Sequence, residues 1–181
     1  TSILTRSGGA NGIGFAIPAD LVAAFVRQAQ AGNDRFVRPW AGATGQAVTA
    51  DLAEMLGRDR SGGIIIAGLH PGSPLAEAGF AVGDVVLSVD GSDVNSPAEM
   101  LFRMSVARAG ETTTMTRLRD GEIADLAVAL IPPPELPARN AIALSEGENL
   151  PGLALSRINP AVIAEMNLPL VSEGVVVTDP G

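Results

Sequence analysis

The alternation of apolar and polar residues divides the N-terminal part of the chain into two strands and a helix. Residues 1–16 fit a strand, a Gly-rich turn at 7–12 and a second strand. A helix is predicted from Pro18 to about Gly32, because proline is tolerated at a helix start and glycine suits the left-handed residue that ends a helix. Its apolar stripe has helical spacing and comprises Leu21, Val22, Phe25, Val26 and Ala29.

A second series of elements begins near Arg38. Extended segments are predicted at 40–48, 63–69, 84–89, 112–119 and 122–130. A short helix at 50–56 follows the capping residue Thr49, and another is opened by Ser73-Pro74. The capping box Ser96-Pro97-Ala98-Glu99 opens a longer helix that ends near Arg108. The pairs Asp90-Gly91 and Asp120-Gly121 are typical of hairpin turns. More strand than helix predicts a mostly β fold of the α+β class.

Part of this series repeats after a Pro-rich stretch. Residues 132–147 contain four prolines at 132–137 and are interpreted as a stiff linker. Ala53-Glu54-Met55 recurs as Ala164-Glu165-Met166, and the strand that starts at Gly63 recurs at Gly174. We therefore interpret residues 148–181 as the N-terminal part of a second, truncated copy of the domain at 38–131.

Composition and charge narrow the function classes. The chain is 46% hydrophobic and 18% charged, which is typical of a globular protein. A net charge of −8 with 12 scattered Lys and Arg residues makes nucleic acid an improbable partner. The lack of cysteine excludes disulfides, thiolate metal sites and cysteine nucleophiles. No apolar run reaches the ~20 residues needed to span a bilayer.

The central segment resembles a PDZ domain of the circularly permuted bacterial type. The resemblance is carried by three stretches: Pro71-Gly72-Ser73-Pro74-Leu75-Ala76, then Ala78-Gly79-Phe80, then Gly83-Asp84-Val85-Val86 up to Asp90-Gly91. It implies a PDZ-like, partly open β-barrel or sandwich with two helices.

The N-terminal stretch Asn11-Gly12-Ile13-Gly14-Phe15-Ala16-Ile17-Pro18 resembles the segment that closes the protease barrel in HtrA/Deg serine proteases. This resemblance implies a remnant of a trypsin-like protease domain at 1–32, a first PDZ domain at 38–131 and part of a second at 148–181. It also implies a periplasmic location and a parent protein that cuts unfolded polypeptides. A trimer is one of the oligomeric states that the resemblance allows for this parent protein. The family's triad lies upstream of Thr1, so we expect this chain alone to be inactive.

PDZ domains bind the C-terminus of an extended peptide by adding it as a strand to a sheet edge. The terminal carboxylate needs converging backbone N–H groups, which a Gly-containing turn can supply. By resemblance this loop is Trp40-Ala41-Gly42-Ala43, with Gly42 at the family's central glycine. Ala41 and Ala43 stand where the family usually has larger aliphatic residues, so we expect a wider pocket for the ligand's last side chain.

The opposite wall of this cleft is expected to be the helix after Ser96. Met100, Leu101 and Met104 share one helix face and are candidate groove residues. The same stripe also fits a buried core face. We expect it to serve both purposes in part.

Other chemistry is disfavoured. Ser7-Gly8-Gly9 and Ser61-Gly62-Gly63 echo a trypsin-like nucleophile motif, but each follows an arginine. His70, the only histidine, lies in a turn and fits an exposed residue without a catalytic role. We predict no catalytic residue, no metal and no cofactor.

Three readings of function follow. The first is a regulatory, substrate-binding region of an HtrA-like protease in protein quality control, with peptides or the C-termini of unfolded proteins as partners. The alternatives are a non-enzymatic PDZ adaptor or secretion component, and an inactive protease homologue acting as a chaperone. In each case, the strands at 1–17 and 174–179 are expected to pair with each other, with the complete domain or, by swapping, with a neighbouring chain.

Overall fold

The structure is a computed structural model that describes residues 2–3, 14–107, 110–145 and 152–180. The turn predicted at 7–12, including Ser7, lies outside the described residues. The strands are β1 (Ser2–Ile3), β2 (Gly14–Phe15), β3 (Ala43–Ala47), β4 (Ile64–Leu69), β5 (Val85–Val89), β6 (Ser92–Asp93), β7 (Thr112–Arg119), β8 (Glu122–Ala129), β9 (Ile142–Ala143), β10 (Ala154–Arg157) and β11 (Val175–Asp179). The helices are α1 (Ala19–Gln30), α2 (Ala50–Met55), α3 (Pro74–Glu77), α4 (Pro97–Val106) and α5 (Pro160–Met166).

Six strands form the main sheet. Its order is β3-β4-β5-β7-β8, with β6 paired to β5, and the neighbouring strands are antiparallel. The α+β class is confirmed, but the sheet stays open because β3 and β8 lie at opposite ends of it. This unit contains α2, α3 and α4, the three helices that the caps at Thr49, Ser73 and Ser96 predicted, and one more than the two that the resemblance implied.

Local sequence signals account for most element boundaries. The side chains of Thr49, Ser73 and Ser96 each accept a hydrogen bond from a backbone amide in the first turn of the helix that follows. The predicted capping box is modified, since the Glu99 carboxylate accepts from the Asn95 amide. Asp120 has a φ of 50° and leads into the β7–β8 hairpin turn, as predicted.

The core of this unit lies between the sheet and the helices α3 and α4. Its fully buried members include Leu75, Val86, Met104, Met115 and Val128. A smaller cluster of Val48, Ala53 and Val85 packs between α2 and the sheet. The groove described below therefore rests on a close-packed base.

Helix α1 packs against α4 through a face other than its apolar stripe. Ala24 is buried at 3% exposure, whereas Val22, Phe25 and Val26 are 46%, 53% and 44% exposed. The Nη2 atom of Arg27 donates to the Val106 carbonyl at 3.2 Å. The stripe thus predicted the helix, but not the face that packs, because a small side chain lets the two helices approach closely.

The C-terminal part forms a three-stranded sheet in the order β11-β10-β9. The succession β10–α5–β11 repeats that of β3–α2–β4, as the recurring sequences predicted. The Pro-rich stretch is more than a spacer, because it contains β9 and the ion pairs of Arg139 with Glu135 and Glu165.

Among the described residues, each terminal strand pairs within its own segment: β1 with β2, and β11 with β10. The predicted pairing of the two segments with each other or with the complete domain does not occur in these residues, and pairing with a neighbouring chain stays a prediction. Among the helices of the described ranges, none is long and apolar enough to cross a membrane.

Candidate functional site

A groove lies between strand β3 and helix α4. β3 is an end strand of the main sheet, so one of its edges bonds to β4 and the other has no strand partner among the described residues. The residues lining the groove are Ala41, Ala43, Thr44, Gly45, Ile64, Ile66, Leu75, Val86, Pro97, Met100 and Leu101. The site therefore combines an unpaired strand edge with apolar walls.

The loop before β3 has its carbonyl groups tied to the protein. The Ala41 carbonyl accepts from the Ser73 hydroxyl at 2.7 Å, and the Gly42 carbonyl accepts from the His70 amide at 2.8 Å. The amides of Ala41 and Gly42 donate to no acceptor within the described part of the chain. The loop thus has two backbone donors that no described acceptor uses.

Gly42 is required at its position by conformation and by space. Its φ of 59° lies in the left-handed region, and an added Cβ would lie 2.8 Å from Ser73 Cβ and 2.9 Å from Trp40 Cη2. Any side chain here would displace the loop. The conformation that places the Ala41 and Gly42 amides therefore requires glycine at position 42.

Trp40 and His70 support this loop from behind. The two rings meet edge to face, with their centroids 5.3 Å apart, and Trp40 is 8% exposed. His70 Nδ1 accepts from the Gly72 amide at 3.0 Å. The expectation of an exposed turn histidine is wrong, because His70 is half-buried and its ring and amide hold the loop.

The α4 face divides into groove and core. Leu101 is 40% exposed and lines the groove, and Met100 lines it while being 5% exposed. Met104 is fully buried, belongs to the core and does not line the groove. Met104 is therefore not a groove residue, contrary to expectation, and the part of the stripe that serves the core begins with it.

The space within the groove is small, about 40 Å³. For comparison, an engineered cavity of about 150 Å³ in another protein binds benzene. The small side chains of Ala41 and Ala43 thus leave little open space here, and the wider pocket for the ligand's last side chain stays a prediction.

Two contributions were missed by the sequence reasoning. Ser73 was interpreted only as a helix cap, yet its hydroxyl also fixes the Ala41 carbonyl. Arg38 is exposed, precedes the loop by two residues and forms no ion pair among the described residues. In the sequence, the position of Arg38 just before the loop does not reveal that its charge is left without an ion pair in the described part of the chain.

The closest ion pair of this unit lies away from the groove. Asp84 is 2% exposed and accepts from Arg119 Nε at 2.6 Å and Nη2 at 2.7 Å. Burial raises the pKa of Asp84, but the hydrogen bonds from Arg119 and the Ala81 amide outweigh it and the pKa is lowered overall. The pair joins β7 to the turn before β5, so we assign it to stability. No group of three metal-ligating side chains occurs in the ranges that the structure describes.

Residues 47–130 match the family described as "PDZ domain". A relative named "Probable periplasmic serine endoprotease DegP-like" from Pseudomonas fluorescens is 34% identical over 134 residues, covering 73% of this chain and 28% of that protein. One of the same name from Rhizobium meliloti is 37% identical over 134 residues, covering 73% and 26%. The chain thus spans little more than a quarter of the length of these relatives. Their names confirm the periplasmic assignment.

Solved structures agree with this match. "HtrA-type protease AlgW with decapeptide" is similar with a TM-score of 0.52 at 34% identity, covering 74% of this chain and 42% of that one. "HtrA-type protease AlgW with tripeptide" gives 0.52 at 33% identity, covering 73% and 44%. The chain belongs to the HtrA-type serine protease family and corresponds to the part of it that carries a PDZ domain.

Proposed function

We propose that the unit at 38–131 binds the free C-terminus of an extended peptide. The peptide adds to the outer edge of β3 as an antiparallel strand, and its carboxylate accepts from the amides of Ala41 and Gly42. The observation that carries this proposal is the pair of unused amides beside an unpaired strand edge. The similar AlgW structures, with a decapeptide and a tripeptide, support it.

In the whole protein, this unit is the regulatory and substrate-binding region of a serine endoprotease in protein quality control. Its partners are the exposed C-termini of unfolded polypeptides. The names of the relatives support this role over that of a secretion adaptor. Residues 1–32 belong to the protease domain, and residues 148–181 begin a second PDZ domain after the linker at 132–147.

A free strand edge also favours association at β11. Its Val175 and Val177 are 66% and 43% exposed, and β10 pairs with only one of its edges. Unpaired edges rich in β-branched residues recruit a further strand. We propose that a later part of the second domain or a second chain covers β11; a trimeric parent stays a prediction.

The test compares synthetic peptides that differ only at the chain end. A peptide with an apolar last residue and a free carboxylate is titrated against the same peptide as a C-terminal amide, with fluorescence polarisation as the readout. We expect amidation to weaken binding by about tenfold to a hundredfold, since it removes hydrogen bonds to a charged acceptor. Equal affinity of acid and amide would contradict carboxylate capture.

A second titration tests strand addition. N-methylation of a peptide amide removes one donor and blocks pairing on that side. Because alternate amides of an added strand point towards β3, methylation should abolish binding at every second position and leave the positions between nearly unaffected. The intermediate positions serve as the matched control.

A further inference from the structure

The two walls of the groove differ in how they are supported. The sheet wall includes Ile64, Ile66 and Val86, which are 2%, 3% and 0% exposed and belong to the main core. Moving this wall would disturb close-packed side chains. On the α4 wall, Met100 and Met104 belong to the same core, but Leu101 is 40% exposed. A ligand that needs more space than the groove offers must therefore displace the α4 wall at Leu101.

Empty space lies directly behind the α4 wall. A cavity of about 210 Å³ that is open to solvent lies between α4 and α1 and is lined by Leu21, Phe102 and Ser105 and by the exposed Arg38, Ala98 and Leu101. Leu101 lines both this cavity and the groove. The side chain that a ligand would meet on one side of α4 thus has room to move on the other.

A second open space flanks the α1–α4 interface. A second cavity of about 250 Å³ lies at the other end of the interface, beside Arg27 and Ala107. Near it, the small Ala24 is the buried residue of α1, and Arg27 donates to the Val106 carbonyl at 3.2 Å. The contacts between the two helices therefore lie between two open spaces, around Ala24 and Arg27.

We propose that the cavity between α1 and α4 is the space into which α4 and Leu101 move when a peptide with a large last side chain binds. The residues around this cavity, above all Leu21 and Ala98, then determine the size of the terminal side chain that is accepted, although neither lines the groove. This inference rests on the proposed peptide binding and adds a specificity determinant outside the binding surface.

As a consequence, the effect of the cavity on affinity depends on the size of the peptide's last side chain. A peptide ending in alanine fits the 40 Å³ already present, and its affinity does not depend on the state of the cavity. A peptide ending in phenylalanine needs the α4 wall to yield. Filling the cavity opposes that movement through overpacking, which costs affinity for the large residue only.

The experiment uses the full chain and otherwise identical free-acid peptides that end in Ala, Val or Phe. Two variants fill the cavity from opposite sides, Ala98→Leu on α4 and Leu21→Phe on α1. Ala23→Leu is the matched control, because Ala23 is exposed on α1 and lines neither cavity. Thermal midpoints of all four proteins show that each variant is folded.

We expect both filling variants to weaken binding of the Phe-ended peptide by about tenfold relative to the Ala-ended peptide. The control should bind all peptides as the unaltered chain does. Equal weakening for all three peptides, or no weakening, in the filling variants would overturn the inference while leaving peptide binding intact. If the unaltered chain binds none of the peptides, the proposed function itself fails, and the inference with it.

Discussion

Strands β3 and β10 hold equivalent places in the repeated strand–helix–strand pattern, yet their outer edges differ. The outer edge of β3 has no strand partner in the described ranges, whereas β10 pairs there with β9, with Leu155 opposite Ile142. The pairing continues as the Arg157 amide donates to the Arg139 carbonyl at 2.7 Å. An edge that could receive a peptide is open in the first unit and covered in the second.

The segment that precedes each strand makes this difference. Before β10, residues 139–144 run along the strand, and Arg139 is fixed by Glu135 and Glu165. Before β3, the Gln28 side chain accepts from the Val37 amide at 2.7 Å and donates to the Val37 carbonyl at 2.8 Å. Gln28 thus holds the preceding segment on α1 and away from β3.

The glycines that precede β3 and β10 differ in the same way: the amide of one is unused and the amide of the other is bonded. Gly42 and Gly152 both have positive φ angles, of 59° and 83°. The Gly152 amide donates to the Leu144 carbonyl at 2.9 Å, whereas the Gly42 amide has no acceptor among the described residues. The same glycine-strand sequence pattern can therefore form a peptide-binding site only where the preceding segment does not take up the backbone hydrogen-bonding groups.

The largest expected effect concerns the strands inside each repeat. Ile64 and Val175 follow the recurring glycines, but Ile64 is 2% exposed and Val175 is 66% exposed. Ile64→Ala should lower the free energy of unfolding of the first unit by about 2–5 kcal/mol. Val175→Ala should change the free energy of unfolding of the second unit by less than about 0.5 kcal/mol. Urea unfolding followed by the fluorescence of Trp40 reports on the first unit, and hydrogen exchange of β10 and β11 in urea reports on the second. Equal effects would remove the contrast in burial.

The next effect concerns the two glycines. Gly42→Ala forces a Cβ into Ser73 and Trp40 and should weaken peptide binding by about tenfold or more. Gly152→Ala is the matched control, since it also alters a residue with positive φ, and should leave peptide affinity unchanged. Titration of one peptide against both variants measures the difference. A loss of affinity in Gly152→Ala would place the site elsewhere.

A smaller effect is expected from Gln28. Gln28→Ala releases Val37, so the loop before β3 must be ordered on binding, and affinity should fall a few-fold, or about 0.5–1 kcal/mol. Gln30→Ala is the control, because Gln30 is exposed on the same helix. Calorimetric titration measures both. Unchanged affinity in Gln28→Ala would show that this clamp does not prepare the edge.

The smallest effect is on acid stability. Hydrogen bonding to Arg139 lowers the pKa of Glu135 from its usual 4.5 despite some burial. A lowered folded-state pKa stabilises the fold above the unfolded-state value, and this is lost as the pH falls through the lower, folded value. The contribution of the ion pairs that hold β9 should therefore be complete above the usual pKa of 4.5 and be lost as the pH falls through the lower, folded-state value. The protection factors of the β9 amides, which correct the exchange rate for its intrinsic pH dependence, should fall between pH 6 and 3, and Glu135→Gln should reduce that fall.

Much of the fold was predictable because its signals are local. The caps at Thr49, Ser73 and Ser96 and the turn at Asp120 depend on residues within one turn of each other. The Met100–Met104 stripe could not be divided into groove and core by spacing alone, since that division depends on where the sheet lies. The β9–β10 pairing was missed because a Pro-rich stretch has no strand periodicity.

The central claim is that an incoming chain end pairs with β3 and not with β10. Hydrogen exchange of the full chain, with and without a saturating free-acid peptide, tests this directly. The account predicts slower exchange in Ala41–Ala47 on adding peptide and unchanged exchange in β10. Equal protection of both strands, or no protection of β3 at saturation, would contradict it.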